Sequence, residues 1–91
     1  MFLHLGKDTV IKDEDIIGIF DLDTATVSRH TRKYLNNAEK KKETVTVSYE
    51  LPKSFVVCAK PKSKEKKIYI SQISSVTLLK RSSNFIYDIK D

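Results

Sequence analysis

The opening residues 2–23, FLHLGKDTVIKDEDIIGIFDLD, decide the fold of this chain. Their apolar clusters are too short for helices, and they are separated by Gly6-Lys7-Asp8 and by the acidic run from Asp13 to Asp15. This pattern predicts three short strands in a meander. Because the meander starts at residue 2, we expect no leader segment to be removed.

The segment from residue 24 to residue 37 carries apolar side chains at helical spacing, and either Asp23 or Thr24 can cap its first turn. We expect the helix to end at the Asn36-Asn37 pair, which leaves the lysines 40–42 in a loop. One side of this helix therefore serves the core and another side is open to anions. The predicted core-facing positions are Val27, Thr31, Tyr34 and Leu35.

The second half of the chain returns to strand patterns. β-Branched and aromatic residues alternate over Thr44–Tyr49. A further strand covers Ser54–Ala59, after Pro52, which has no amide proton for a central ladder. The charged segment Lys60–Lys67 predicts a hairpin tip, from which residues 68–70 pair back.

A short amphipathic helix is predicted over residues 72–81, with Ser71 as its cap. The apolar tail Phe85–Ile89 is either a final strand or a segment that docks on a neighbouring subunit. Together these patterns predict a single small domain, residues 1–91, of the α+β class. Its sheet is a strongly bent antiparallel sheet or a small barrel, with one main helix over 24–37 and a short C-terminal helix over 72–81.

Length and composition limit the class of protein. A chain of 91 residues with no Trp buries only about 60 to 65% of its unfolded surface, so we expect oligomerisation to supplement a thin core. No apolar run approaches the roughly 18 residues that a membrane span needs, and His4 and Lys7 interrupt any secretory signal. The single Cys58 cannot form an internal disulfide, and it fits a buried strand position in a protein of the reducing cytoplasm.

Charge is distributed unevenly along the chain, whose net charge is +5. Residues 1–28 hold two Lys against six acidic residues, a net charge of −4, whereas residues 29–81 hold fourteen Lys or Arg against four Glu, a net charge of +10. Such a chain can pair subunits head to tail and offer its basic part to a polyanion. The alternative is that the lysines only keep a small protein in solution.

Catalytic and metal-binding patterns are weak in this sequence. Residues 19–24, Ile-Phe-Asp-Leu-Asp-Thr, are similar to the D-x-D-x-T opening of haloacid-dehalogenase-type phosphotransferases. Those enzymes need a doubly wound sheet that this length cannot hold, so we expect Asp21 and Asp23 to end a strand and cap the helix. His4 and His30 lack partners at metal-ligand spacing. We therefore expect no catalytic residue, cofactor, metal site or small-molecule substrate.

Three segments of the chain together resemble a known bacterial family. They are the opening stretch at 2–23, PKSFVVC at 52–58 and IYISQISSVTLLKRSSNFIYDI at 68–89, whereas residues 33–49 contribute little. The order, the spacing and the total length carry the likeness. On these segments the chain is similar to the extracellular matrix regulatory proteins, specifically the RemB type.

The resemblance implies a function that periodicity alone does not indicate. The RemA relatives are cytoplasmic DNA-binding activators of biofilm-matrix genes, and they assemble into ring-like homo-oligomers whose basic residues contact DNA. By this resemblance we expect a non-enzymatic transcriptional regulator that binds the phosphate backbone of double-stranded DNA as a homo-oligomer, without a membrane partner. The alternative is an oligomeric adaptor or assembly protein of the same fold that does not bind DNA.

Two of the family's DNA-contacting positions differ in this chain. The family has a basic residue directly before the Ile-Ile pair of the third strand, where this chain has Asp15. It has a pair of arginines in the turn that here reads Leu51-Pro52-Lys53. A carboxylate repels a phosphate, so Lys53 alone keeps a family-type contact and other cations must replace the rest. The expected nucleic-acid-binding residues are Arg29, Arg32, Lys33 and Lys53, with Lys64, Lys66 and Lys67 as an outer electrostatic footprint.

Overall fold

A computed structural model describes residues 2–22, 28–60, 62–63 and 65–82 of the chain. These residues form two runs of three strands, each followed by an α-helix, which confirms the expected α+β class. This part of the chain contains no helix that is long and apolar enough to cross a membrane. The elements are β1 Phe2–Gly6, β2 Thr9–Lys12, a 3-10 turn Asp13–Asp15, β3 Ile16–Asp21, α1 Arg29–Lys40, β4 Thr44–Thr46, β5 Ser54–Ala59, β6 Lys66–Ser71 and α2 Ser75–Arg81.

The larger sheet holds four strands in the order β3-β5-β6-β4, and β1 pairs with β2 in a separate antiparallel hairpin. β3, β5 and β6 pair antiparallel, as the sequence predicts, but β4 pairs with β6 in parallel. The described strands therefore form two sheets and do not close into a barrel. β4 is also shorter than the strand predicted over 44–49, because the chain turns away after the Val47 amide bonds to the Ile70 carbonyl oxygen (3.0 Å).

β5 forms the centre of the sheet, and its two faces pack against different layers. Alternate residues of a strand point to opposite faces, so the buried run of β5 contributes to two cores. One face packs on the β1–β2 hairpin and α2, and the other packs on α1. The first core contains Leu3, Leu5, Ile11, Val47, Val56, Cys58 and Leu78, and the second contains Leu22, Ala38, Phe55, Val57 and Ile68.

Two fully buried serines hold the first layer on the sheet. The Ser71 hydroxyl donates to the Leu5 carbonyl oxygen (2.6 Å) and accepts from the Ile73 amide (3.0 Å). The Ser54 hydroxyl donates to the Ile73 carbonyl oxygen (2.7 Å). These bonds satisfy backbone groups where the ladder of β1 is irregular and where the chain leaves β6 for α2.

The main helix is displaced from its predicted bounds, because α1 runs over Arg29–Lys40 and not over 24–37. Ser28 caps it, with the Thr31 amide 3.5 Å from the Ser28 hydroxyl oxygen. Ser28 itself has extended backbone angles, which marks the start of the helix. The predicted caps Asp23 and Thr24, and the predicted core residue Val27, lie outside the described residues.

α1 extends past its predicted end because a Schellman motif closes it within the lysine run 40–42. The Lys42 amide donates to the Glu39 carbonyl oxygen (3.0 Å), and the Glu43 amide donates to the Ala38 carbonyl oxygen (2.8 Å). Lys42 has a left-handed backbone (φ 60°), which this motif requires at its turn. The first lysine of the run is therefore helical, and the run does not form the separate loop that we expected.

The C-terminal helix is also shorter than predicted. α2 covers Ser75–Arg81 rather than 72–81, and its cap is Ser74, whose hydroxyl accepts from the Thr77 amide (3.2 Å). Ser71 cannot serve as the cap because it bonds to the first layer. The apolar tail 85–89 lies outside the described residues.

Candidate nucleic-acid interface

Three of the predicted DNA contacts lie on one face of α1. Arg29, Arg32 and Lys33 are separated by three and four residues, so their side chains share a side of the helix, and all three are exposed. The opposite side of α1 packs on the second core through Leu35 and Ala38. The helix therefore separates a core-facing side from a basic, solvent-facing side.

Lys40 extends this basic face, since it lies seven residues after Lys33, about two helical turns on, and is exposed. We refer to Arg29, Arg32, Lys33 and Lys40 as the cation stripe. At about 1.5 Å per residue the stripe is about 17 Å long. This length matches the rise of about five base pairs of DNA. The sequence prediction missed Lys40 because it ended the helix too early, although the seven-residue spacing from Lys33 was visible.

The cations at the start of α1 lie where the helix dipole is least favourable for positive charge. The first turn of α1 contains no acidic residue, and Arg29 is the first helical residue. A cation near a helix N-terminus, and a pair of like charges such as Arg29 and Lys33, each destabilise a helix by about 0.3 kcal/mol. A phosphate at this position would relieve both effects. The start of α1 is therefore suited to binding anions.

Lys53 follows an exposed loop that is anchored to β6 at both ends. The Val47 amide donates to the Ile70 carbonyl oxygen (3.0 Å), and the Lys53 amide donates to the Ser71 carbonyl oxygen (2.9 Å). Because these acceptors are neighbours in β6, the loop 48–52 crosses over the end of that strand. The backbone of Lys53 is thus fixed while its side chain is exposed to solvent.

The same loop exposes two large apolar side chains. Tyr49 is 100% exposed and Leu51 is 80% exposed. The Ser48 hydroxyl accepts from the Glu50 amide (3.1 Å), which turns the chain at this point. Lys53 is therefore accompanied by apolar surface that the described chain leaves open. Sequence reasoning considered only the cation in this loop, and a strand predicted through Tyr49 concealed the exposed ring.

Lys66 and Lys67 are strand residues on opposite faces of the sheet, and not part of a hairpin tip. They are the first two residues of β6, where they pair with Ala59 and Cys58, and both are exposed. Since successive residues point to opposite faces, Lys66 lies on the side of α1 and Lys67 on the side of the β1–β2 hairpin. Lys64 lies outside the described residues.

The predicted contacts fall into separate groups. Lys53 directly precedes β5, whereas Lys67 pairs with Cys58, five positions further along that strand. At about 3.4 Å per residue, these positions are about 17 Å apart. The three groups are thus the cation stripe on α1, Lys53 at one end of β5, and the pair Lys66 and Lys67 at its other end.

Asp15, where the resemblance leads us to expect a cation, lines a charged cleft of about 350 Å³. The cleft lies between the β1–β2 hairpin and the turn that joins β5 to β6. The other charged residues of this cleft are mostly basic, so lysines from neighbouring elements line the same cleft as the Asp15 carboxylate. The lining lysines are Lys12, Lys60 and Lys67.

Cys58 lies at the base of this cleft as a buried thiol, as the sequence predicts. Burial, with a smaller contribution from the charge of Asp15, raises the pKa of Cys58 to about 11. Burial is also the main cause that raises the pKa of the neighbouring Tyr69 above its usual value. Cys58 therefore stays protonated at neutral pH and has the character of a structural residue.

The remaining candidates for chemistry are dispersed. His4 Nε2 lies 2.8 Å from the Lys7 carbonyl oxygen in the first hairpin, and His30 lies on α1. No group of His, Cys, Asp or Glu within the described ranges could hold a metal ion. Asp21 ends β3, and Asp23 lies outside the described residues.

Comparisons with known proteins match most of this chain. A family model described as RemA-like, Extracellular matrix regulatory protein A-like, matches residues 2–81. The chain is 39% identical over 90 residues to Extracellular matrix regulatory protein B of Bacillus subtilis (strain 168), with 98% of each chain covered. The resemblance inferred from three segments is thus confirmed. The chain belongs to the RemA-like family of extracellular matrix regulatory proteins.

Proposed function

We propose that this protein is a DNA-binding transcriptional regulator of extracellular matrix and biofilm genes, which acts in the cytoplasm as a homo-oligomer. The names of the family model and of the relative support a regulatory role in matrix production. The ligand is the phosphate backbone of double-stranded DNA, contacted by the cation stripe and Lys53. The protein performs no chemical step and requires neither a cofactor nor a small-molecule substrate.

The cation stripe carries this proposal. Its cations are exposed on the solvent side of α1, and the ones at the start of the helix oppose the helix dipole. A protein that needed them only for solubility could place the same charges at the end of a helix, where they are favourable. The local electrostatic cost is consistent with a polyanionic ligand that offsets it.

Oligomerisation would raise the affinity for DNA, because several subunits contribute their phosphate contacts together. Each neutralised phosphate contributes about −0.9 to the slope of log affinity against log salt. Two neighbouring subunits that each use four cations would lose about 10⁴ in affinity between 50 and 200 mM salt. Repetition of the stripe around a ring-like homo-oligomer also multiplies the binding strength without a new type of contact.

The test is a measurement of affinity for a pool of genomic DNA fragments at several salt concentrations, with the oligomeric mass determined in the same buffers. The double variant Arg29→Ala/Arg32→Ala should reduce the magnitude of the salt slope by about 1.8 for each contacting subunit. The matched control Lys80→Ala/Arg81→Ala removes the same charge from the end of α2 and should leave the slope unchanged. An oligomer with no affinity at 50 mM salt, or an equal effect of both pairs, would contradict the proposal.

A second candidate is an oligomeric adaptor that has lost DNA binding, and two observations favour it. Asp15 reverses a family-type phosphate contact, and Tyr49 and Leu51 offer exposed apolar surface beside Lys53. For an adaptor, the oligomer forms but shows no salt-sensitive DNA binding. Substitution of Tyr49 and Leu51 by Ser would then abolish binding to a partner protein and leave the oligomer intact.

A further inference from the structure

An apolar groove of about 320 Å³ lies between α1 and β3, on the side of the sheet that carries the second core. Phe20 stacks on Phe55 along this groove, with ring centroids 5.0 Å apart. Gly18 lets the Phe20 ring lie flat along β3, since a Cβ atom at that position would come within 2.7 Å of the ring. Ile17 beside it is nevertheless 62% exposed, and Tyr34 of α1 lines the other wall. The groove is therefore preformed, and the described chain leaves it open.

The loop 48–52 carries the most exposed large apolar side chains of the described residues, Tyr49 and Leu51. Backbone bonds of Val47 and Lys53 to β6 fix both ends of this loop, so the two side chains project from a rigid base. A tyrosine that is 100% exposed contacts no other element of its own chain, and no residue of the loop lines the groove. The loop and the groove are thus two separate apolar surfaces, and the loop does not fill the groove of its own chain.

The two surfaces are also complementary in charge. Glu50 is exposed between Tyr49 and Leu51, so the tip of the loop joins one carboxylate to two apolar side chains. The wall of the groove that α1 forms begins with Arg29–Lys33, which holds three Arg or Lys, and α1 has no acidic residue before Glu39. A carboxylate is attracted to these cations and to the N-terminus of the helix. Because a carboxylate repels phosphates, the loop fits a second copy of this chain better than it fits DNA.

We propose that Tyr49 and Leu51 of one subunit insert into the groove between α1 and β3 of a second copy, with Glu50 beside the basic start of α1. Because the loop and the groove are different surfaces, the contact is head to tail and each subunit uses both. The contact covers Ile17 and Phe20, which a small domain with a thin core leaves exposed. The inference rests on the proposed function, since it assigns contact surfaces to the homo-oligomer.

The oligomeric mass of the full chain, measured over a range of protein concentrations, tests the contact. Tyr49→Ser/Leu51→Ser should raise the dissociation constant between subunits at least about 100-fold, because aromatic anchors in pockets dominate interface affinity. Ile17→Lys, which places a charge in the groove, should have a similar effect. The matched control Phe2→Ser/Val10→Ser removes two exposed apolar side chains from the β1–β2 hairpin and should leave the mass unchanged. An intact oligomer in the loop variant would overturn the inference.

A mixture of the two variants separates loss of the contact from loss of the fold. The variant Tyr49→Ser/Leu51→Ser keeps its groove, and the variant Ile17→Lys keeps its loop. An equimolar mixture should therefore form a 1:1 complex with one intact contact, at a concentration at which neither variant associates with itself. Failure of the mixture to associate would overturn the head-to-tail contact.

Charge reversal tests the role of Glu50. Glu50→Lys should weaken subunit association about tenfold, with a larger effect at 50 mM than at 200 mM salt, because salt screens the attraction to α1. Glu14→Lys, at an exposed position in the 3-10 turn, changes the net charge equally and should not weaken association. Equal effects of the two reversals would contradict the placement of Glu50.

The outcomes distinguish this inference from the proposed function. An oligomer that depends on Tyr49 and Leu51 but has no affinity for DNA at 50 mM salt supports the contact and contradicts the regulator. An oligomer that survives their replacement and binds DNA overturns the contact and leaves the regulator standing. A natural chain that is monomeric at every concentration overturns the contact and the homo-oligomer together.

Discussion

Replacement of Ser71 by Ala should be among the most destabilising single-atom deletions in this protein. The hydroxyl donates to the Leu5 carbonyl oxygen at 2.6 Å and accepts from the Ile73 amide at 3.0 Å, and Ser71 is fully buried. Each hydrogen bond contributes about 1 kcal/mol net, and a buried backbone group left without a partner costs about 1 kcal/mol more, which gives about 3 kcal/mol in total. In a domain of this size, that loss should lower Tm by about 12 to 24 °C.

Thermal and urea unfolding at one fixed protein concentration measure this loss, since oligomerisation makes Tm depend on concentration. Two serines with fewer bonds provide graded controls. Ser54→Ala removes one bond to the Ile73 carbonyl oxygen and should cost about 1 to 2 kcal/mol. Ser48→Ala removes one bond to a loop amide and should cost about 0.5 to 1 kcal/mol. If Ser71→Ala cost no more than Ser48→Ala, the anchoring role assigned to Ser71 would be wrong.

Three further predictions concern charge, backbone strain and pH. Asp15→Lys places a cation at the family-type position and should raise DNA affinity about tenfold in a low-salt binding assay; unchanged affinity would mean that DNA does not approach the charged cleft. Lys42→Gly should increase the free energy of unfolding in urea by about 1 kcal/mol, because glycine adopts the left-handed backbone at φ 60° without strain. Lys41→Gly, at a position with a right-handed backbone, should not increase the free energy of unfolding, and an increase would contradict this explanation. Finally, the pKa of about 11 for Cys58 means that the folded protein holds this proton more tightly than the unfolded chain does. Its contribution to stability is therefore complete below about pH 9 and is lost as pH rises to about 11, by up to about 3 kcal/mol. Between pH 8 and pH 10.5, the free energy of urea unfolding should fall less for Cys58→Ala than for the natural chain. Equal decreases would refute this explanation.

Sequence patterns within a few residues of each other predicted much of this fold and part of the candidate site. The extent of β5, the cations on the solvent side of the main helix and the buried position of Cys58 all follow from the chemistry of neighbouring residues. The errors in helix bounds also have local causes. Asn36 and Asn37 are weak helix formers, but burial of Ala38 against the sheet and the Schellman motif that follows outweigh that preference.

Contacts between distant parts of the chain decided the remaining features. The parallel pairing of β4 with β6 and the bond from Ser71 to Leu5, 66 residues apart, depend on which layers meet after folding. The separation of Lys53 from Lys67 along β5, and the opposite directions of Lys66 and Lys67, follow from the same sheet. The sequence by itself thus determined the α+β class, the uneven charge and the family, because periodicity and motif order are properties of the local chain. The grouping of the cations and the open groove beside β3 were decided by the tertiary structure alone, because strand order and register determine which distant side chains become neighbours.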